Sequence, residues 1–258
     1  MAANSVDSKK IQVLGVPIAK YTLQETVDLL LTEIVARRQS RLSLFHVITA
    51  NPEIVMKCQS DVELRTIVHD ADLVTADGIG IVLAARWNKT PIQERVTGYD
   101  LLISLLDQGE RIGLSLYFLG ADEHTNRTAV EKIAKKHPGL RIAGRHHGFF
   151  TDDEEAQLIE DIRAKQPDLL IVALGAPKAE KWIKRHKDSL NTLAAVGVGG
   201  SLDVIAGKVK ETPQLWKKLN VEWLHRLLTQ PSRWRRQLVL PVFAMKAFWS
   251  ARLSRSTR

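Results

Sequence analysis

Asp77 is the carboxylate best placed for chemistry in this chain. It follows the apolar run Ala71–Ala76 and precedes Gly78 and Gly80. At the end of a strand, a carboxylate before two glycines projects into a cleft while the backbone closes around a ligand. That is a position suited to a general base. Asp-Gly is also ordinary turn chemistry, in which Asp77 would do no more than cap a following helix. Both readings stay open on these residues alone. Asp70-Ala-Asp72, just upstream, has the form of a carboxylate pair that holds a divalent ion on a diphosphate. Its plainer reading, solvated carboxylates between a helix and a strand, is preferred because arginines can supply the neutralising charge.

Five loops carry glycine or proline where an apolar run ends: Thr49-Ala-Asn51-Pro52, Ala76-Asp77-Gly78-Ile-Gly80, Leu119-Gly120-Ala121, Gly175-Ala-Pro177-Lys178 and Gly197-Val-Gly199-Gly200-Ser201. Each opens a helix, so backbone N–H groups and a positive helix end can face an anion. Together they suggest a rim for a phosphorylated ligand. The last loop lacks the glycine spacing of a dinucleotide-binding turn but can still cradle a diphosphate. Arg226, Arg233 and Arg236 are spaced by seven and three residues, near whole helical turns, although Pro231 interrupts them. They can grip phosphate oxygens or form a basic face toward acidic lipid. The eight histidines show no ligand spacing, and the single cysteine, Cys58, reads as an inert helix thiol.

The elements that must position these residues are legible as alternating strands and helices. Apolar runs at Ile11–Val16, Ser43–Thr49, Ala71–Ala76, Ser115–Leu119, Leu140–Ala143, Asp168–Leu174 and Ala194–Val198 read as strands. Thr22 with Glu25 and Thr151 with Glu154 form capping boxes, and Asn51-Pro52 is an N-cap followed by proline at the first helical position. The expected fold is α/β, a mainly parallel Rossmann-like sheet covered by helices. Such sheets bind ligands outside the carboxyl ends of their strands.

Charge divides the 258 residues. Residues 1–207 carry 25 Lys and Arg against 27 Asp and Glu, whereas residues 208–258 carry 12 against 2. Four of the six tryptophans also fall after residue 207. The expected organisation is a core over 1–207 and a basic, Trp-rich, helical appendage over 208–258. The stretch from Leu238 to Trp249 is nearly all apolar, too short to span a bilayer and long enough to lie in its interface. The tail's polyanion is therefore read as an anionic membrane surface. A nucleic acid is the competing partner, disfavoured by the apolar residues between the charges and by the lack of a nucleic-acid motif. One cysteine excludes an intramolecular disulfide, and the polar N-terminus lacks a signal-peptide core. The expected location is the cytoplasm, peripheral on the inner face of the cell membrane. Association of copies into a homo-oligomer is left open.

The sequence resembles the WecG/TagA/CpsF family of glycosyltransferases. The matching stretches are Thr49-Ala-Asn51-Pro52-Glu53, Ala76-Asp77-Gly78-Ile-Gly80, Glu94-Arg95-Val-Thr97-Gly98-Tyr-Asp100, Gly175-Ala-Pro177-Lys178-Ala-Glu180-Lys-Trp182, Gly197-Val-Gly199-Gly200-Ser201 and Glu222 through Arg236. The resemblance implies inverting, metal-independent transfer of N-acetylmannosamine from UDP to undecaprenyl-diphosphate-linked N-acetylglucosamine, with no cofactor. In Gram-positive bacteria that product starts the linkage unit of wall teichoic acid. A related donor, UDP-N-acetylmannosaminuronic acid or UDP-glucose, remains an alternative within the family. The resemblance also implies that Asp77 is the catalytic base, Thr49 a polar contact beside it and Arg95 a pocket residue. Asn51, Gly78, Gly175, Gly199 and Gly200 would bind substrate, and Arg226, Arg233 and Arg236 would act on the diphosphate. One departure stands out: the family usually has Gln where this chain has Ala179.

Overall fold

The computed structural model describes residues 9–40, 42–213, 215–216, 221–229 and 234–256. Six of the seven apolar runs become the strands of one parallel sheet: β3 (Phe45–Ala50), β4 (Leu73–Ala76), β5 (Ser115–Gly120), β6 (Arg141–His146), β7 (Leu169–Ala173) and β8 (Ala194–Gly197). Their order across the sheet is β4-β3-β8-β7-β5-β6. Helices cover both faces, so the strands are apolar on both sides rather than alternating with polar residues. Along β3, Phe45 and Val47 join one core cluster while Ile48 and Ala50 join another. The expected α/β architecture with a mainly parallel sheet is what the chain adopts.

The seventh run behaves differently. Ile11–Val16 is not a single strand but the bend of a hairpin, with β1 (Lys10–Val13) antiparallel to β2 (Val16–Ala19). The turn uses Leu14 at φ 49° and Gly15 at φ 78°. Two successive positive φ values match the twist of a two-residue hairpin. The unusual leucine conformation hid this turn from a reading of residue types. The hairpin packs against β4 and covers that end of the sheet.

The helix starts follow their local signals. Both capping boxes form, opening α1 (Leu23–Gln39) and α7 (Asp152–Lys165). The Asn51 side chain accepts from Ile54 N at 3.0 Å and starts α2 (Pro52–Lys57). Between these lie α3 (Val62–Asp70), α4 (Ile79–Trp87), α5 (Gly98–Gly109) and α6 (Glu123–Lys136); α8 (Lys178–His186) and α9 (Ser201–Ala206) follow β7 and β8.

Beyond Gly207, helices cover Glu222–Thr229 (α10), Trp234–Gln237 (α11) and Val239–Ser256 (α12). Pro241 sits in the first turn of α12, where its missing N–H has no intrahelical partner to lose. One stripe of α12, Phe243, Ala247 and Ala251, is buried, with Phe243 and Ala247 inside the cluster formed by α2 to α4 and the hairpin. The opposite stripe, including Val242, Met245, Trp249 and Leu253, is exposed. Among the described residues, no helix is long and apolar enough to cross a membrane.

Candidate functional site at the carboxyl rim of the sheet

A cavity of about 1240 Å³ opens outside the carboxyl ends of β4, β3, β8 and β7. Four of the five glycine- or proline-bearing loops form its walls, and Thr49, Asn51, Asp77, Gly78, Arg95, Gly175, Gly199 and Gly200 all line it. The fifth loop, at Gly120, is not part of the wall. A Cβ on Gly120 would stand 2.4 Å from the backbone of Ala173. That glycine lets β5 and β7 approach and serves the sheet instead of a ligand. Arg233 lies outside the described residues, and of Arg226 and Arg236 only the helical backbone is described.

Asp77 is fixed by its neighbours' backbones. Its N–H donates to Ala50 O at 2.8 Å, continuing the β3–β4 pairing one residue past the strand. Its carboxylate Oδ2 accepts from Gly98 N at 3.3 Å, at the first turn of α5. Gly78 then turns at φ 116°, a conformation that frees the chain to enter α4 along the cavity wall. The loop that carries Arg95 and Gly98 is itself laid along β4. Val96 N donates to Ala76 O at 2.9 Å and Thr75 Oγ1 donates to Val96 O at 3.1 Å. On the neighbouring strand, buried Thr49 donates through Oγ1 to Gly197 O at 3.0 Å and joins the ends of β3 and β8. Asp77 and Thr49 thus sit on rigid elements, as positioned chemistry requires.

Asp70 and Asp72 stand at the opposite, amino end of β4. Asp70 pairs with Lys184 at 2.9 Å, and Asp72 Oδ2 accepts from His46 N at 2.8 Å. A four-residue strand separates them from Asp77, a span of about 13 Å at 3.3 Å per residue. This carboxylate pair does not face the cavity. His46 is a core residue whose imidazole burial pushes down to about 3. Cys58 is buried, and burial raises its thiol to about 11.

Several wall residues escaped the sequence reading. Arg95 Nη1 forms an ion pair with Glu222 of α10, both side chains being largely buried. Tyr99 is hydrogen-bonded to Glu211, and its phenol is pushed up to about 12, first by burial and then by that carboxylate. Glu211 and Glu222 are the two acidic residues of the basic tail, and both clasp the loop around Gly98. Leu240, Pro241, Phe243 and Ala244 of α12 complete an apolar side of the cavity beside Leu83 and Trp87. Glu180, in the first turn of α8, is buried in the wall, and burial pushes its carboxyl up to about 7. Its spacing of three from buried Ile183 is the one signal that placed it on the inward stripe.

A parallel sheet with a cavity at its carboxyl rim, walled by helix N-termini and by a carboxylate held at a strand end, has the architecture of an α/β enzyme and suits an anionic ligand. The model of the glycosyl transferase WecG/TagA/CpsF family matches residues 11–258, and the chain belongs to that family. It is a glycosyltransferase. Among similar proteins, the N-acetylglucosaminyldiphosphoundecaprenol N-acetyl-beta-D-mannosaminyltransferase of Bacillus spizizenii is 37% identical over 197 residues, 76% of either chain. The protein of the same name from Staphylococcus aureus is 32% identical over 240 residues, 93% of this chain and 92% of the relative.

Proposed function

We propose that this chain transfers N-acetylmannosamine from UDP-N-acetylmannosamine to N-acetylglucosamine carried on undecaprenyl diphosphate, with inversion at the anomeric carbon and without a metal. The names of the two relatives support the acceptor and the sugar. The observation that carries the mechanism is Asp77, a carboxylate held at the cavity wall beside the Gly98 N–H.

In this reading Asp77 takes the proton from the acceptor hydroxyl as its oxygen forms a bond to the anomeric carbon. The bond from that carbon to the UDP oxygen breaks on the opposite side, so configuration inverts, and the proton stays on Asp77. The departing diphosphate gathers negative charge, which the N-terminal turns of α4 and α8 can meet with backbone N–H groups. Arg95 lies within the same wall, and Arg226, Arg233 and Arg236 are assigned to the same task from the C-terminal segment. The Asp70–Asp72 pair takes no part, being at the other end of β4.

The core is proposed to be residues 1–207, with residues 208–258 as the part that meets an anionic membrane surface at its cytoplasmic face. Supporting this is the exposed stripe of α12, flanked by Lys246 and by Arg252, whose guanidinium lies 4.7 Å from the centre of the Phe248 ring. Aromatic and cationic residues together suit the headgroup layer. Leu240, Phe243 and Ala244 of the same helix line the cavity, so the helix that carries the exposed stripe also borders the space proposed for the lipid-linked sugar.

The test is transfer of radiolabelled N-acetylmannosamine from its UDP form to a short-chain lipid-linked N-acetylglucosamine, with and without EDTA. A disaccharide product of inverted configuration, formed equally in chelator, is expected. No transfer from this donor, or a large loss with EDTA, would reject the corresponding part of the proposal.

A further inference from the structure

We propose that Glu180 is a specificity-determining residue that accepts a hydrogen bond from a hydroxyl or amide N–H of the donor sugar. The inference rests on the transfer reaction above and names one more contact within the same cavity.

Glu180 retains only 4% of its exposure, yet it is one of the residues that line the cavity. Its Oε2 is fully buried and has no hydrogen-bond partner among the described residues. A buried polar atom without a partner costs free energy that a folded chain recovers only when something supplies the missing bond. A structural role at the start of α8 does not require this arrangement, because a solvated glutamate in the first turn meets the helix dipole equally well.

Position narrows the ligand group. A Cβ on Gly197 would stand 3.2 Å from Glu180 Oε1, so the carboxyl lies against the end of β8. The carbonyl of the same Gly197 accepts from Thr49 Oγ1. A Cβ on Gly98, the residue whose N–H meets Asp77, would lie 3.2 Å from that Thr49 oxygen and 3.3 Å from Val198 Cα. Asp77 and Glu180 therefore flank one short turn, Gly197-Val198, from two sides. If Asp77 serves the anomeric centre, Glu180 is set beside the sugar. Phosphate oxygens at neutral pH offer no proton to share, whereas the hydroxyls and acetamido N–H of an amino sugar do. Burial raises the carboxyl to about 7 against the opposing hydrogen bond from its own backbone, and no cation is among the causes. A ligand donor bonded to the charged form favours that form.

Glu180→Leu and Glu180→Gln in the full chain separate ligand contact from packing. Three quantities are read: the thermal midpoint, the calorimetric affinity for UDP, UDP-N-acetylmannosamine and UDP-N-acetylglucosamine, and the split of KM from kcat. In Glu180→Leu the midpoint is expected to hold or rise, because an unpaired polar group leaves the interior. KM for the donor should rise tenfold or more with UDP affinity within twofold. Glu180→Gln keeps a carbonyl acceptor and should lose about threefold. An unchanged KM in either variant would overturn the proposal, as would an equal loss of UDP and UDP-sugar binding, which would move the contact to the nucleoside. A loss of midpoint in both variants at unchanged UDP-sugar to UDP affinity ratios would make Glu180 structural. Failure of the unaltered chain to transfer N-acetylmannosamine would count against the reaction, while the affinity ratios across the panel report on Glu180 separately.

Discussion

The carboxyl rim of the sheet and the C-terminal helices enclose the same cavity but are held by different forces. The rim is tied at the level of the backbone: Asp77 N to Ala50 O, Val96 N to Ala76 O and Val198 N to Val172 O, at 2.8 to 2.9 Å. The C-terminal helices are attached through side chains, namely the Arg95–Glu222 pair, buried Phe243 and the edge-to-face packing of Trp87 on Phe248 at 5.8 Å, and the stretch leading to them adds the Tyr99–Glu211 contact. Backbone pairing holds a group in one place, while side-chain attachments exchange partners at lower cost. The fixed region therefore suits the proposed bond-making chemistry, and the side-chain-held region suits admitting the bulky, lipid-bearing acceptor proposed above.

Four substitutions bear on this contrast, taken from the largest expected effect downward. Asp77→Asn removes the proposed base and leaves the backbone pairing intact, so kcat should fall by roughly 10²- to 10⁴-fold with UDP affinity unchanged or tighter. Steady-state kinetics with retained turnover would place the base elsewhere. Within α12, Phe243→Ala should destabilise the chain by about 3–5 kcal/mol in denaturant unfolding, whereas Trp249→Ser, on the bare stripe, should stay within about 0.5 kcal/mol. The second variant should instead weaken sedimentation with anionic vesicles; equal destabilisation by both would erase the two-faced reading of the helix. The smallest change is expected for Glu222→Gln, which frees the Arg95 guanidinium. UDP affinity, followed by calorimetry, should rise about two- to fivefold at low salt and converge with the unaltered chain at high salt. No change at low salt would mean that Arg95 stays out of reach of the diphosphate.

Legibility differed by feature for physical reasons. The capping boxes at Thr22 and Thr151 and the Asn51-Pro52 start are local hydrogen-bond motifs, and all three open helices where their residue types indicate. The residues proposed for chemistry at strand ends were visible because glycine and proline mark those ends. Glycine has several uses, however, and Gly120 serves close strand approach while Gly78 serves the cavity. Glu180 stands within a recognisable motif, but its burial depends on β8 lying alongside, which no local pattern specifies.

From its residues alone this chain determined an alternating α/β pattern, a rim of helix starts around Asp77 and a basic tail, because these depend on period, capping and charge along the chain. The strand order, the pairing of Glu222 with Arg95 and the burial of Phe243 were decided only in the tertiary structure. Each joins residues far apart in sequence, and which distant surfaces meet depends on packing the whole chain at once rather than on any local preference.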